Sequence, residues 1–308
     1  MNQKRETLLA ILMFIGVLLG NTIIFSIVPR LQSAELGYGY NPFMILMSYS
    51  IIATLCMLPW AFKQGRTGLA TTRWKHYFLR AVLEYGAYAL TITSLGYVFA
   101  PESNFTLPMH TALNFITPIL ATIATIFILK ERGGWHTLVA LVAGVIGVLV
   151  ITRPGMIPMN TGVFYALGAA VGFSLCGVVI KLLCSTESPM HIAFYMLVMT
   201  TIFSLPMGIL HWSTPSADGL AWLVVIGLLT YAVQWLVGKA ISKVPYMLII
   251  PLNFVQLIFS ALSSYIVFNK TIDQWTVLGA LIILAGAIYN TYRSHTMALR
   301  ETNIAQAM

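Results

Sequence analysis

Polar residues fall in short clusters along this chain, and between them it runs apolar for about twenty residues at a time. Runs of that length predict helices able to cross a hydrocarbon core about 30 Å thick, and ten can be drawn. They cover approximately 8–30, 41–62, 76–99, 103–128, 136–152, 160–183, 189–210, 218–240, 244–268 and 274–292. The runs do not alternate with period two, which excludes a barrel, and lipid offers backbone amides no partner. The expected fold class is therefore an all-α membrane protein with ten transmembrane helices.

Short signals recur at nearly constant spacing. Leu113-Asn114-Phe115 returns as Leu252-Asn253-Phe254 after 139 residues, and Pro42 and Pro59 return as Pro189 and Pro206 after 147. One duplication explains both. It divides the chain into a first five-span repeat, residues 1–154, and a second, residues 155–308, at the Pro/Gly break Arg153-Pro154-Gly155. Five crossings are an odd number, so the second copy enters from the opposite face. Inverted repeats of this kind build alternating-access transporters. Gly16 and Gly20, Gly168 and Gly172, and Gly279 and Gly286 are expected to let helices pack closely.

Composition agrees with the pattern. Hydrophobic residues make up 58% and charged residues 8%, against about 25% charged in soluble domains, which excludes a soluble globule. The net charge of +8 matters through its placement. Fourteen of the 17 Lys and Arg residues share the face of the N terminus, leaving Arg30, Arg153 and Lys270 opposite. The asymmetry places both termini in the cytoplasm and points to a bacterial inner membrane, with the lipid bilayer and not nucleic acid as the partner of the basic residues. The first apolar segment is read as an uncleaved helix. Cys56, Cys176 and Cys184 lie within spans without metal-ligand spacing and are read as packing residues. HExxH, GxSxG and Walker motifs are absent from the sequence, so no enzyme, cofactor or metal site is expected.

With the duplicated five-span unit, Leu129-Lys130-Glu131 closing the fourth span and Arg153-Pro154 closing a Gly-rich fifth, the chain resembles the drug/metabolite transporter superfamily, and within it the ten-span EamA-like group. Phe194-Tyr195, Ser204-Leu205-Pro206 and Thr214-Pro215-Ser216 are similar to the branch that imports S-adenosylmethionine. The resemblance implies a cavity between the halves, lined by the first, third, fourth, sixth, eighth and ninth spans, with the fifth and tenth at the side. Phe268-Asn269-Lys270 stands where the first half has Leu129-Lys130-Glu131, and Leu257 where it has Pro118. An asymmetric pocket is expected.

Candidate binding residues are polar groups inside spans. Glu84 has Tyr88 at i+4 and Thr91 at i+7, an acid and a ring on one face, which suits an organic cation. Arg80 at i−4 offers a structural alternative. A carboxylate there has to face protein or water. His110 and Asn114 lie on one stripe of the fourth span, and Asn253 and Gln256 on the matching stripe of the ninth. Tyr231, Gln234 and Trp235 form an aromatic and amide face on the eighth, and Asn21 lies near the centre of the first. Trp222 and Trp212 are expected as interface anchors. Glu84 and His110 are the candidates for proton coupling. Pro108 and Pro118 in the fourth span and Pro245 and Pro251 in the ninth are expected to break these helices at the binding site.

The function expected is secondary transport of a small polar metabolite, a cationic or zwitterionic amino acid or derivative, with S-adenosylmethionine a candidate. Efflux of amphipathic drugs and a non-transporting sensor or scaffold are the alternatives. Protons are a candidate coupling partner, and a homodimer is an assembly the sequence permits.

Overall fold

The computed structural model describes residues 2–99, 104–129, 135–153, 160–183, 186–241, 253–286, 288, 289 and 292. Among them every regular element is a helix. In chain order these are α1 (Asn2–Gln32), α2 (Pro42–Gly68), α3 (Trp74–Phe99), α4 (Leu107–Asn114), α5 (Thr117–Leu129), α6 (Trp135–Thr152), α7 (Thr161–Leu183), α8 (Pro189–Leu210), α9 (Ala217–Ile241) and α10 (Asn253–Phe268). An eleventh, α11 (Gln274–Gly286), follows. Six segments are long and apolar enough to cross a membrane: within α1, α2, α7, α8 and α9, and α4 with α5 taken together. Shorter apolar stretches lie in α6, α10 and α11. The helix α3 has the length but carries Lys75, Arg80 and Glu84. The protein is thus a multi-pass, all-helical membrane protein.

Helix starts follow local chemistry. Thr106 caps α4, its side chain accepting from Met109 N at 3.3 Å, and Ser188 caps α8, accepting from His191 N at 3.3 Å. Pro42 and Pro189 open α2 and α8, where a missing N–H costs no intrahelical bond. Pro108 also falls in a first turn, so it starts α4 instead of breaking a longer span as the sequence suggested. The break comes after Asn114, where Phe115 and Ile116 separate α4 from α5. Pro118 explains it, because a proline four residues on leaves the Asn114 carbonyl without its helical donor. Pro245 and Pro251 lie outside the described residues.

Helices α2 and α8 cross in opposite directions. Phe43 meets His211 with ring centroids 5.7 Å apart, the Ser50 and Ser204 hydroxyls are 3.3 Å apart, those of Thr54 and Thr201 2.9 Å, and Trp60 meets Phe194 at 6.0 Å. As the first number rises the second falls. Thr54 and Thr201 are themselves 147 residues apart, the spacing of the paired prolines.

Two further crossings match each other. A Cβ on Gly20 of α1 would lie 2.6 Å from Val233 of α9, and one on Gly172 of α7 would lie 2.9 Å from Ala87 of α3. Gly16 faces Leu236 as Gly168 faces Leu90. The glycines are 152 residues apart and their partners 146 in both cases. At the side, α6 and α11 cross where Gly147 and Gly279 bring their backbones together. In lipid such contacts act through close packing, since apolar burial gains nothing against acyl chains.

Candidate functional site

Helix α4 carries His110 into the interior, where its residue exposure is 0%. Ser94 of α3 donates to the Gly162 carbonyl at 2.9 Å, so its oxygen is left to accept from His110 Nδ1 at 3.1 Å. That fixes the proton on Nδ1 and makes Nε2 an acceptor, and Asn114 Nδ2 lies 3.1 Å from it. The same amide nitrogen donates to the His110 carbonyl at 2.9 Å. A directed chain thus runs from Asn114 through His110 and Ser94 to the start of α7, tying three helices together. Phe25 and Phe105 present their rings nearly perpendicular to the imidazole.

The second polar centre is on α3. Arg80 Nη2 lies 3.1 Å from both oxygens of Glu84, and Arg80 Nη1 donates to the Ile192 carbonyl of α8 at 3.1 Å. Both side chains are about 95% buried. The structural partner offered by the i−4 spacing is therefore in place. Even so, Glu84 Oε2, Arg80 Nε and the hydroxyls of Tyr77, Tyr85, Thr91 and Thr200 have no hydrogen bond among the described residues. Tyr49 of α2, Tyr88 and Cys176 of α7 are electrostatic neighbours of Glu84. Tyr88 meets Phe173 edge-on at 5.3 Å.

Further polar side chains are carried by α1, α9 and α10. The Ser26 and Ser263 hydroxyls are 2.5 Å apart, and Ile27, Leu31 and Val267 share a cavity wall beyond them, so α1 and α10 run in the same direction. Taken with the Gly20 to Val233 approach, this puts Asn21, Tyr231, Gln234 and Gln256 within about one helical turn of a common level, but Asn21 falls on a face of α1 apart from those that meet α9 and α10, so the four side chains are level without being brought together. The amides of Asn21, Gln234 and Gln256 are half-buried and unpaired among the described residues. Trp235 stands apart, 36% exposed, with Lys239 Nζ 5.7 Å from its ring centroid. Asn253 opens α10, but its side chain lies outside the described residues.

Sequence reasoning missed a cavity of 420 Å³ at the far ends of α1 and α10 and the start of α9, lined by Ile27, Arg30, Leu31, Leu36, Tyr38, Trp222 and Val267. Trp222, read as an interface anchor, is one of its walls. Tyr38 donates to Asp218, and that bond holds its phenol above the ordinary value. Of the three basic residues expected on this face, Arg153 pairs with Asp273 at 2.7 Å and Lys270 donates to the Val98 carbonyl at 2.9 Å. Burial pulls the Lys270 ammonium below its usual range. Arg30 has no carboxylate partner among the described residues. The signal available in the sequence was Arg30 itself, one of three basic residues expected opposite the face of the N terminus.

Comparison with known proteins agrees with this architecture. The chain is 28% identical over 271 residues to an S-adenosylmethionine uptake transporter of Rickettsia prowazekii, covering 88% of this chain and 90% of the relative. It is 27% identical over 277 residues to a riboflavin transporter of Vibrio cholerae serotype O1, covering 89% and 91%. A solved crystal structure sharing 15% identity superposes with a TM-score of 0.61 over 94% of this chain and 98% of the other, a likeness of fold. The description EamA-like transporter family fits in two segments, residues 8–153 and 160–292. The chain belongs to the EamA-like transporter family, within the drug/metabolite transporter superfamily.

Proposed function

We propose that this protein is a secondary transporter of the inner membrane, both termini cytoplasmic, that carries a small polar metabolite by alternating access between two inverted five-span halves. The observation that carries the reading is the α2–α8 crossing, where equivalent residues Thr54 and Thr201 meet in antiparallel helices. A two-fold axis in the membrane plane produces that contact. The matched pairs Gly20–Val233 and Gly172–Ala87 obey the same relation, and the family description fitting twice supports the duplication.

The substrate reading is an amino acid or derivative, and the relative that takes up S-adenosylmethionine makes that compound the first candidate. Half-buried amides on α1, α9 and α10 suit a polar ligand at mid-depth. Of the two proton-coupling candidates, Glu84 fits better. Its Oε2 is approached by Arg80 Nη2 at 3.1 Å without hydrogen-bond geometry, whereas both ring nitrogens of His110 are engaged.

Counterflow tests the reading. Purified protein in liposomes preloaded with unlabelled S-adenosylmethionine should accumulate labelled compound transiently, and a panel of amino acids should compete. A sensor would exchange nothing, and exchange of many unrelated lipophilic cations would favour drug efflux.

A further inference from the structure

The outer cavity joins features that the central polar groups do not explain. A guanidinium presents a planar fork of donors matched to carboxylates, and of the three basic residues expected on this face Arg30 is the one whose side chain has no hydrogen-bond or ion-pair partner among the described residues. Beside it stand two aromatic side chains. Tyr38 is fixed by Asp218, and Trp222 lies one turn further along α9. Ile27, Leu31, Leu36 and Val267 complete an apolar wall. At 420 Å³ the space falls within the usual range for small-molecule sites, about 300 to 1,000 Å³. Asn21 lies nine residues before Arg30 on the same helix, roughly 13 Å away and half a turn round it, so the cavity stands as a site of its own.

We propose that this cavity is an outer docking site for carboxylate-bearing small molecules, with Arg30 holding the carboxylate and Tyr38 and Trp222 flanking the ring or apolar part. The proposal rests on the transport reading and narrows it. A guanidinium without an acid beside it among the described residues disfavours a purely cationic ligand such as a polyamine, while Asp218, held by Tyr38, supplies a nearby acid for an ammonium group. A zwitterionic α-amino acid headgroup satisfies both poles.

The test uses full-length protein in phosphatidylcholine nanodiscs and reads Trp222 fluorescence as the difference between wild type and Trp222→Phe. S-adenosylmethionine is compared with its decarboxylated form, and L-methionine with its methyl ester. The acids should change Trp222 emission at concentrations at least about tenfold lower than their partners lacking a free carboxylate. Arg30→Gln should erase that preference and Arg30→Lys should keep part of it, both folding normally because the side chain is exposed. Equal binding of acid and partner, or a preference surviving Arg30→Gln, overturns the proposal. A Trp222 response only to added phosphatidylglycerol also overturns it, because the site then holds a lipid headgroup. Counterflow that persists with no role for Arg30 leaves the transport reading standing while this inference fails. Carboxylate docking without counterflow has the reverse meaning.

Discussion

Helices α3 and α9 make matching glycine contacts and differ in what they carry. Ala87 and Leu90 of α3 meet the glycines of α7 as Val233 and Leu236 of α9 meet those of α1. Tyr85 and Tyr231 also correspond, 146 residues apart. Yet where α3 has the buried pair Arg80 and Glu84, α9 has Ile226 and Thr230. The packing scaffold is shared and the charge is not. Helix contacts in a bilayer act through close backbone approach, whereas a buried ion pair is often no more stabilising than well-packed apolar residues in its place. On the proposed two-half arrangement, the scaffold would serve folding and the ion pair a task belonging to one half.

The comparison can be broken by giving α3 the residues of α9. Arg80→Ile or Glu84→Thr alone strands a buried charge and should destabilise the protein by about 3 to 5 kcal/mol. The double variant Arg80→Ile/Glu84→Thr should recover much of that loss, seen as a higher apparent Tm than either single variant, while counterflow stays abolished. A double variant that transports normally would show the pair to be structural only.

Symmetry makes a sharper demand on the glycines. Gly20→Leu and Gly172→Leu should lower stability by similar amounts, about 1 to 3 kcal/mol, because each forces a side chain against its equivalent partner. Gly16→Ala should be milder, its Cβ falling 3.4 Å from the movable end of Leu236. Thermal unfolding in one detergent would compare all three.

Smaller effects follow from single hydrogen bonds. Ser94→Ala removes the acceptor of the His110 Nδ1 proton and should cost about 1 to 2 kcal/mol, with no corresponding loss in Ser94→Thr if the added methyl is accommodated. Thr54→Val at the α2–α8 crossing should cost only about 0.6 kcal/mol, the average for a polar contact between membrane helices. A much larger loss would mean that the crossing does more than pack.

Much of the scaffold was legible because the duplicated signals are also structural signals. Pro42 and Pro189 sit where helices start, and the glycines sit where helices touch. The Arg80–Glu84 pair was legible too, since i and i+4 are neighbours on any helix. What could not be read depends on contacts distant in sequence. Pro108 and Pro118 look alike in a row of letters, and only the cap at Thr106 makes one a start and the other a break. Arg30, Arg153 and Lys270 look equivalent until Asp273 and the Val98 carbonyl claim two of them. Likewise, Asn114 at i+4 is a neighbour of His110 on any helix, but Ser94, which takes its Nδ1 proton, comes from α3 and is itself oriented by the Gly162 carbonyl at the start of α7.

The inverted relation between the halves is tested most directly by cysteine cross-linking in membranes, in a background with Cys56, Cys176 and Cys184 replaced. The pairs Thr54→Cys/Thr201→Cys and Ser50→Cys/Ser204→Cys should oxidise readily, and Ser50→Cys/Leu197→Cys should not, because antiparallel helices that meet at 54 and 201 diverge from that register. Ready cross-linking of 50 with 197 alongside 54 with 201 would mean parallel helices and would contradict the two-fold arrangement.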